Sequence, residues 1–242
     1  MKKIRNPNQI VDSFVSDCQE SFGERLVSVI MYGPAVTHEY IPGKSAVKLA
    51  IVLTDTKLST IAASASMHKK WNKWGIETPI FITPEWLQSS LDTLPVEYLD
   101  LQANYRVVFG VDVVDGVTLS PVHIRLLCER ELRKCALSLR QHYVLQAGEG
   151  KAIQKVLYDL ITELEPVFKA LVVLKDRKIP YSRSDIVAQV EDLYGLGPSV
   201  LSEILFSKNA RLKNRYEQLY FEFSDAIDSL VEKVDSLGGI GV

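Results

Sequence analysis

The residues with chemical potential gather in one loop and the strand that follows it. Tyr32-Gly33-Pro34 opens the loop and His38-Glu39 lies in its middle; Gly43-Lys44-Ser45-Ala46-Val47-Lys48 then leads into an apolar run that ends at Leu53. Ala46 and Lys48 are alternate residues, so on a strand both project from the same face. A lone strand lysine commonly snorkels to solvent from the edge of a sheet. Read instead as a ligand group, Lys48 offers its ammonium to a phosphate with no metal between them. His38 reads as an ordinary loop histidine, because a general base needs a nucleophile and an orienting acid beside it. The four histidines, at 38, 68, 123 and 142, show no metal-ligand spacing with one another or with the three cysteines.

In its place after a helix and a strand, this loop resembles the signature of the polymerase-beta-type nucleotidyltransferase superfamily. That signature is an aromatic or apolar residue, Gly-Ser, a short turn ending in Gly, then Ser-Asp-x-Asp and an apolar strand. In the family the Gly lets the backbone approach a triphosphate and the Ser binds phosphate. The two strand aspartates, with a third acid from a later strand, hold magnesium for an in-line displacement. Gly33 and Ser45 match the pattern, and with Lys48 they are the residues the resemblance offers to a nucleotide or phosphate. Pro34 stands where the phosphate-binding Ser belongs, His38 where the turn Gly belongs, and Ala46 and Lys48 where both aspartates belong. An alanine gives a hard cation no ligand and an ammonium repels one. Glu77 is the one acid near the strand that would supply the third carboxylate. The expectation is therefore a degenerate motif that holds no magnesium.

The elements that must position these residues change character partway along the chain. Ile10, Phe14, Cys18 and Phe22 recur every four residues as one helix face, and Leu26–Tyr32 reads as a mostly buried strand. Strands follow at Val47–Leu53, Pro79–Ile82 and Arg106–Phe109. A single helix is expected from Leu58 to about Trp74, with Leu58, Ile61, Ala62 and Ala65 on one face and the tryptophans against the sheet. Its cationic end, His68-Lys69-Lys70-Trp71-Asn72-Lys73, suits the C-terminal pole of a helix better than a nucleic-acid platform. Thr83-Pro84-Glu85 starts another helix, with Thr as cap.

From Ser120-Pro121 onward only helix periodicity remains. The faces are Ile124 to Tyr143; Ile153 to Leu174, kinked at Pro166; Ile186 to Leu193; Pro198 to Phe206; and Leu212 to Leu230. Five helices with short connections read as an antiparallel bundle, and the Gly-rich tail from Gly238 as loose. Residues 1–117 form the first domain in this reading and 118–242 the second. The fold class is α+β: a nucleotidyltransferase-like mixed sheet with flanking helices, then an all-α bundle. The same order of elements resembles bacterial antibiotic- and small-substrate nucleotidyltransferases, whose helical domain closes the cleft. By that resemblance Arg130 and Arg133 would meet an anionic ligand; read alone, their helix is a solvated face laced with Glu129 and Glu131.

Composition bounds the function. The 242 residues carry 28 basic and 30 acidic side chains for a net charge of -2, which lacks the footprint of a general nucleic-acid binder. No apolar run approaches a membrane span. Three cysteines, two of them seven residues apart on one helix, suit a reducing, cytoplasmic setting. Three functions compete: a non-catalytic protein that binds a nucleotide, another phosphate-bearing ligand or a partner; a working nucleotidyltransferase with magnesium, rebuilt from Glu39, Asp55, Glu77 or Asp100 and acting on a small hydroxyl- or amine-bearing acceptor; and a structural homodimer with no small ligand.

Overall fold

The computed structural model describes residues 4, 6–37, 40–43, 45–146, 149–180, 182–197, 199–207 and 215–239. His38, Glu39, Lys44, Leu212 and the last residues of the tail lie outside the described residues. The chain divides into two compact units, Met1–Thr118 and Leu119–Val242.

In the first unit, α1 (Asn8–Phe22) buries Val11, Phe14, Val15, Cys18 and Phe22 on one stripe and stops at Gly23. Strand β1 (Leu26–Tyr32) is the hub of a four-stranded mixed sheet in the order β3-β2-β1-β4. It runs antiparallel to β2 (Lys48–Leu53) and to β4 (Tyr105–Gly110), while β2 runs parallel to the short β3 (Ile80–Ile82). Alternation sorts the side chains by face. Val29, Met31, Val47, Leu49, Ile51 and Leu53 join the core with Phe14, Cys18, Met67 and Trp71. Ser28, Ile30, Tyr32, Lys48, Ala50 and Val52 therefore belong to the other face.

The helix expected from Leu58 to Trp74 is two helices, α2 (Leu58–Ala62) and α3 (Ala65–Asn72). The Ser64 hydroxyl donates to the Ile61 carbonyl at 2.7 Å, and the Ser64 N–H donates to the same oxygen at 3.0 Å, so the i−4 ladder is lost there. The side turned inward is also not the face that carries Leu58, Ile61, Ala62 and Ala65. Asp55 accepts from the Thr60 hydroxyl at 2.8 Å, Thr60, Ser64, Met67 and Trp71 turn inward, and Leu58 is 83% exposed. Thr83 caps α4 (Pro84–Ser89) by accepting from the Trp86 N–H. A helix with no counterpart in the sequence reading, α5 (Pro95–Ala103), precedes β4.

Every named element of the second unit is helical. Helix α6 (Pro121–Gln146) buries Ile124, Cys128, Leu132, Cys135 and Leu139. Its antiparallel neighbour α11 (Tyr216–Ser236) meets it through Arg133–Asp235, Arg140–Asp228 and Tyr143–Glu217, a descending series that fixes the register. The helix expected to kink at Pro166 is two helices, α7 (Gly150–Glu163) and α8 (Glu165–Val173), joined at Leu164. Proline in the first turn of α8 lacks the N–H that would continue the α7 ladder. Gly150 begins α7 where any Cβ would meet the Tyr216 ring at 2.5 Å, so the close approach of α7 and α11 requires glycine there. Helices α9 (Arg183–Leu193) and α10 (Val200–Phe206) complete the described α-helices, the second capped by Glu191. No described helix is long and apolar enough to cross a membrane.

Candidate functional site

Tyr32 and Lys48 are register partners at the end of the β1–β2 ladder, so their side chains share a face, the one turned away from the α1 and α3 core. Ala46, two residues earlier, is exposed, Val47 is buried and Lys48 is half-buried, as alternation requires. The Lys48 Nζ lies 3.4 Å from Asp100 Oδ2 and 5.9 Å from the centre of the Tyr32 ring. Asp100 is carried by α5, which places that helix on the Lys48 side of the sheet.

Glu77 reaches the same side by a different route. The segment before β3 runs along the start of β2, with the Val47 N–H donating to Gly75 and the Glu77 N–H donating to Val47. Ile76 bridges Val47 and is buried in the core, so Glu77 is turned the other way, as Lys48 is. Burial pushes the Tyr32 hydroxyl up to about 12, and the negative charges of Asp100 and then Glu77 add to it. Both carboxylates therefore belong to the surroundings of Tyr32. Among the described residues the corner brings together the Lys48 ammonium, the Tyr32 phenol and the carboxylates of Asp100 and Glu77.

The loop residues are committed to backbone structure. Gly33 has φ +71°, the left-handed region that favours glycine, and it donates its N–H to the Asn104 carbonyl at 2.9 Å. A Cβ there would stand 3.6 Å from Lys48 Cδ, an ordinary contact, so it is the backbone conformation and not space that calls for glycine. Pro34 follows in a short 3-10 turn and accepts from both the N–H and the hydroxyl of Thr37. Ser45 closes the next turn: its N–H donates to the Ile41 carbonyl and its Oγ accepts from the Ile41 N–H.

The remaining sequence candidates are elsewhere. Asp55 accepts from Thr60 and from the Lys57 N–H at the start of α2, and these bonds hold its carboxyl below the usual range. In the second unit, Arg130 is paired with Glu131 at 2.9 Å, while Arg133 and Arg125 both engage Glu129. Hydrogen bonds from Arg133 and Arg125 outweigh burial and lower the Glu129 carboxyl. Among the described residues no group of three or more His, Cys, Asp and Glu side chains is arranged to hold a metal ion. The pairing of Lys48 with Asp100 was not visible in the sequence because α5 was not recognised. Its signal was Pro95 in the first turn with Glu97 after it.

No family model matches the chain, and no curated protein matches its sequence. Eight solved chains match it in structure. One is the crystal structure of spectinomycin adenyltransferase AAD(9) from Enterococcus faecialis with ATP and spectinomycin. It is 11% identical, with a TM-score of 0.55 over 93% of this chain and 99% of that one. At this identity the likeness establishes the fold, a nucleotidyltransferase-like mixed sheet with flanking helices followed by a largely helical region.

Proposed function

We propose that the chain is a non-catalytic ligand-binding protein on a nucleotidyltransferase-like fold. Its ligand is a nucleotide or another phosphate-bearing small molecule, taken at the Lys48 corner of the sheet without a divalent metal. The observation that carries this reading is the Lys48 ammonium, paired with Asp100, at a position where the resembling family places a metal carboxylate. Ala46 supplies no ligand atom and Pro34 neither hydroxyl nor N–H, so the residues present do not fit magnesium. An ammonium supplies a fixed positive charge to phosphate at the same place. The structural neighbour was solved with ATP, which makes ATP the first ligand to try. Arg130 and Arg133, engaged by glutamates of their own helix, have no part in this reading.

Titration calorimetry with ATP in the presence of EDTA tests it. Binding is expected without metal, and Lys48→Ala is expected to weaken it by about tenfold to a hundredfold, the worth of a charge-assisted contact of about 1.5–3 kcal/mol. Binding that appears only when magnesium is added would refute the reading.

A second reading is favoured by one observation: Asp100 and Glu77 both act on Tyr32 from the Lys48 side. In that reading the two acids rebuild a working nucleotidyltransferase site for a small hydroxyl- or amine-bearing acceptor. Magnesium-dependent consumption of ATP or GTP would establish it and overturn the first.

A further inference from the structure

The Lys48 and Asp100 side chains are 35% and 30% exposed, and the 3.4 Å separation of their charged groups is longer than the 2.7–2.9 Å or so of a close charge-assisted hydrogen bond. Half-wet and loosely made, the pair contributes little to holding the fold. What it does is occupy the ammonium that, among the described residues, stands at this corner of the sheet. The Lys48 stem passes within contact distance of Gly33, and its ammonium stands 5.9 Å from the centre of the Tyr32 ring. A second carboxylate, Glu77, stands on the same side, so an arriving anion meets a corner whose positive charge is already answered.

We infer that Asp100 is a built-in competitor for the ligand's phosphate: it holds Lys48 when the site is empty and must yield the ammonium when phosphate binds. Asp100 is thus a specificity-determining residue that sets affinity below what Lys48 alone would give. This rests on the reading of Lys48 as the ligand's cation. An oxygen of the ligand replaces a carboxylate oxygen on the same donor, so the gain from the new contact is offset by the loss of the old one. Asparagine at position 100 keeps the shape of the side chain and removes its charge, which releases that offset.

The experiment is a double-mutant cycle read by titration calorimetry with ATP in EDTA, on the full chain, with thermal melting to confirm that each variant folds. The four proteins are the unsubstituted chain, Asp100→Asn, Lys48→Met and the double variant. Asp100→Asn is expected to tighten ATP binding about tenfold, and Lys48→Met to weaken it by at least that factor. In the Lys48→Met background, Asp100→Asn is expected to change affinity by less than about twofold, because the competition has no object. Equal or weaker binding by Asp100→Asn overturns the inference. So does an undiminished gain in the Lys48→Met background, which would make Asp100 a general repeller of anions. Should Lys48→Met bind as well as the unsubstituted chain, the reading of Lys48 itself fails, and the competitor fails with it. Binding by Asp100→Asn alone, with the other three silent, supports the inference in its strongest form. Silence from all four overturns both.

Discussion

His68 is an imidazole built into the first unit where burial disfavours its charged form. Its ring stands edge-on to Phe81 at 5.5 Å, and its Nε2 is buried with no hydrogen-bond partner. Burial lowers its pKa below the ordinary 6.5, since the charged ring would lose water and gain nothing in return. Below that ordinary value the unfolded chain takes up a proton that the folded chain resists. The contribution to stability is therefore complete above about pH 6.5 and is lost as pH falls through the folded value. The urea midpoint is expected to fall between pH 7 and pH 5.5, and His68→Leu to flatten that fall, measured by circular dichroism. A slope that survives His68→Leu would assign the loss to other groups; Asp55 and Glu129, both already held low, titrate too far down to supply it. Residue identity alone gave the chemistry of such positions but not their surroundings. That Lys48 faces away from the α1 and α3 core followed from alternation with Ala46 and Val47, whereas its carboxylate partner lies 52 residues on, beyond any local pattern.

Elements fail or hold by their ends and by what competes for their backbone groups. The start of α10 is held by one buried side chain: the Glu191 carboxylate accepts from the N–H groups of Leu201 and Ser202, at 2.8 and 3.0 Å, and from the Ser202 hydroxyl at 2.7 Å. Glu191→Ala is expected to cost about 1.5–3 kcal/mol in chemical denaturation, since it strands those donors in a buried place. Glu191→Gln, which keeps an acceptor without the charge, is expected to recover part of that loss; a variant as stable as the parent would show that water replaces the cap. None of this was legible from sequence, because Glu191 lies on α9 and read only as a helix residue. The strands and the long helices were legible for the opposite reason: Leu26–Tyr32 and the stripe from Ile124 to Leu139 each bury one continuous apolar face. The break at Ala63-Ser64 escaped because it depends on a serine hydroxyl choosing its own helix's carbonyl, and α5 escaped because Val96, Tyr98, Leu99 and Leu101 are buried on more than one side, which leaves little periodicity to see.

At the scale of the whole chain, two units of more than a hundred residues each are large enough to bury a core of their own. The thiols report on them separately. Cys18 lies in the core of the first unit with Phe14 and Trp71, while Cys128 and Cys135 lie on the buried stripe of α6 in the second. All three are free and buried, and burial pushes each thiol up to about 12, helped by Asp17 at Cys18 and by Glu163 at Cys135. A thiol reagent at pH 8 meets neither an accessible sulfur nor a thiolate, so labelling requires opening of the surrounding unit. With rising urea, Cys128 and Cys135 are expected to react together along one curve and Cys18 along another, giving thiol counts of two and one. Mass spectrometry of the labelled peptides assigns each curve to its cysteine. Because Cys128 and Cys135 are two turns apart on one helix, a difference between them would mean that α6 frays before the bundle opens. Three thiols appearing on a single curve would mean that the chain unfolds as one cooperative body, and that residues 1–118 and 119–242 are not independent domains.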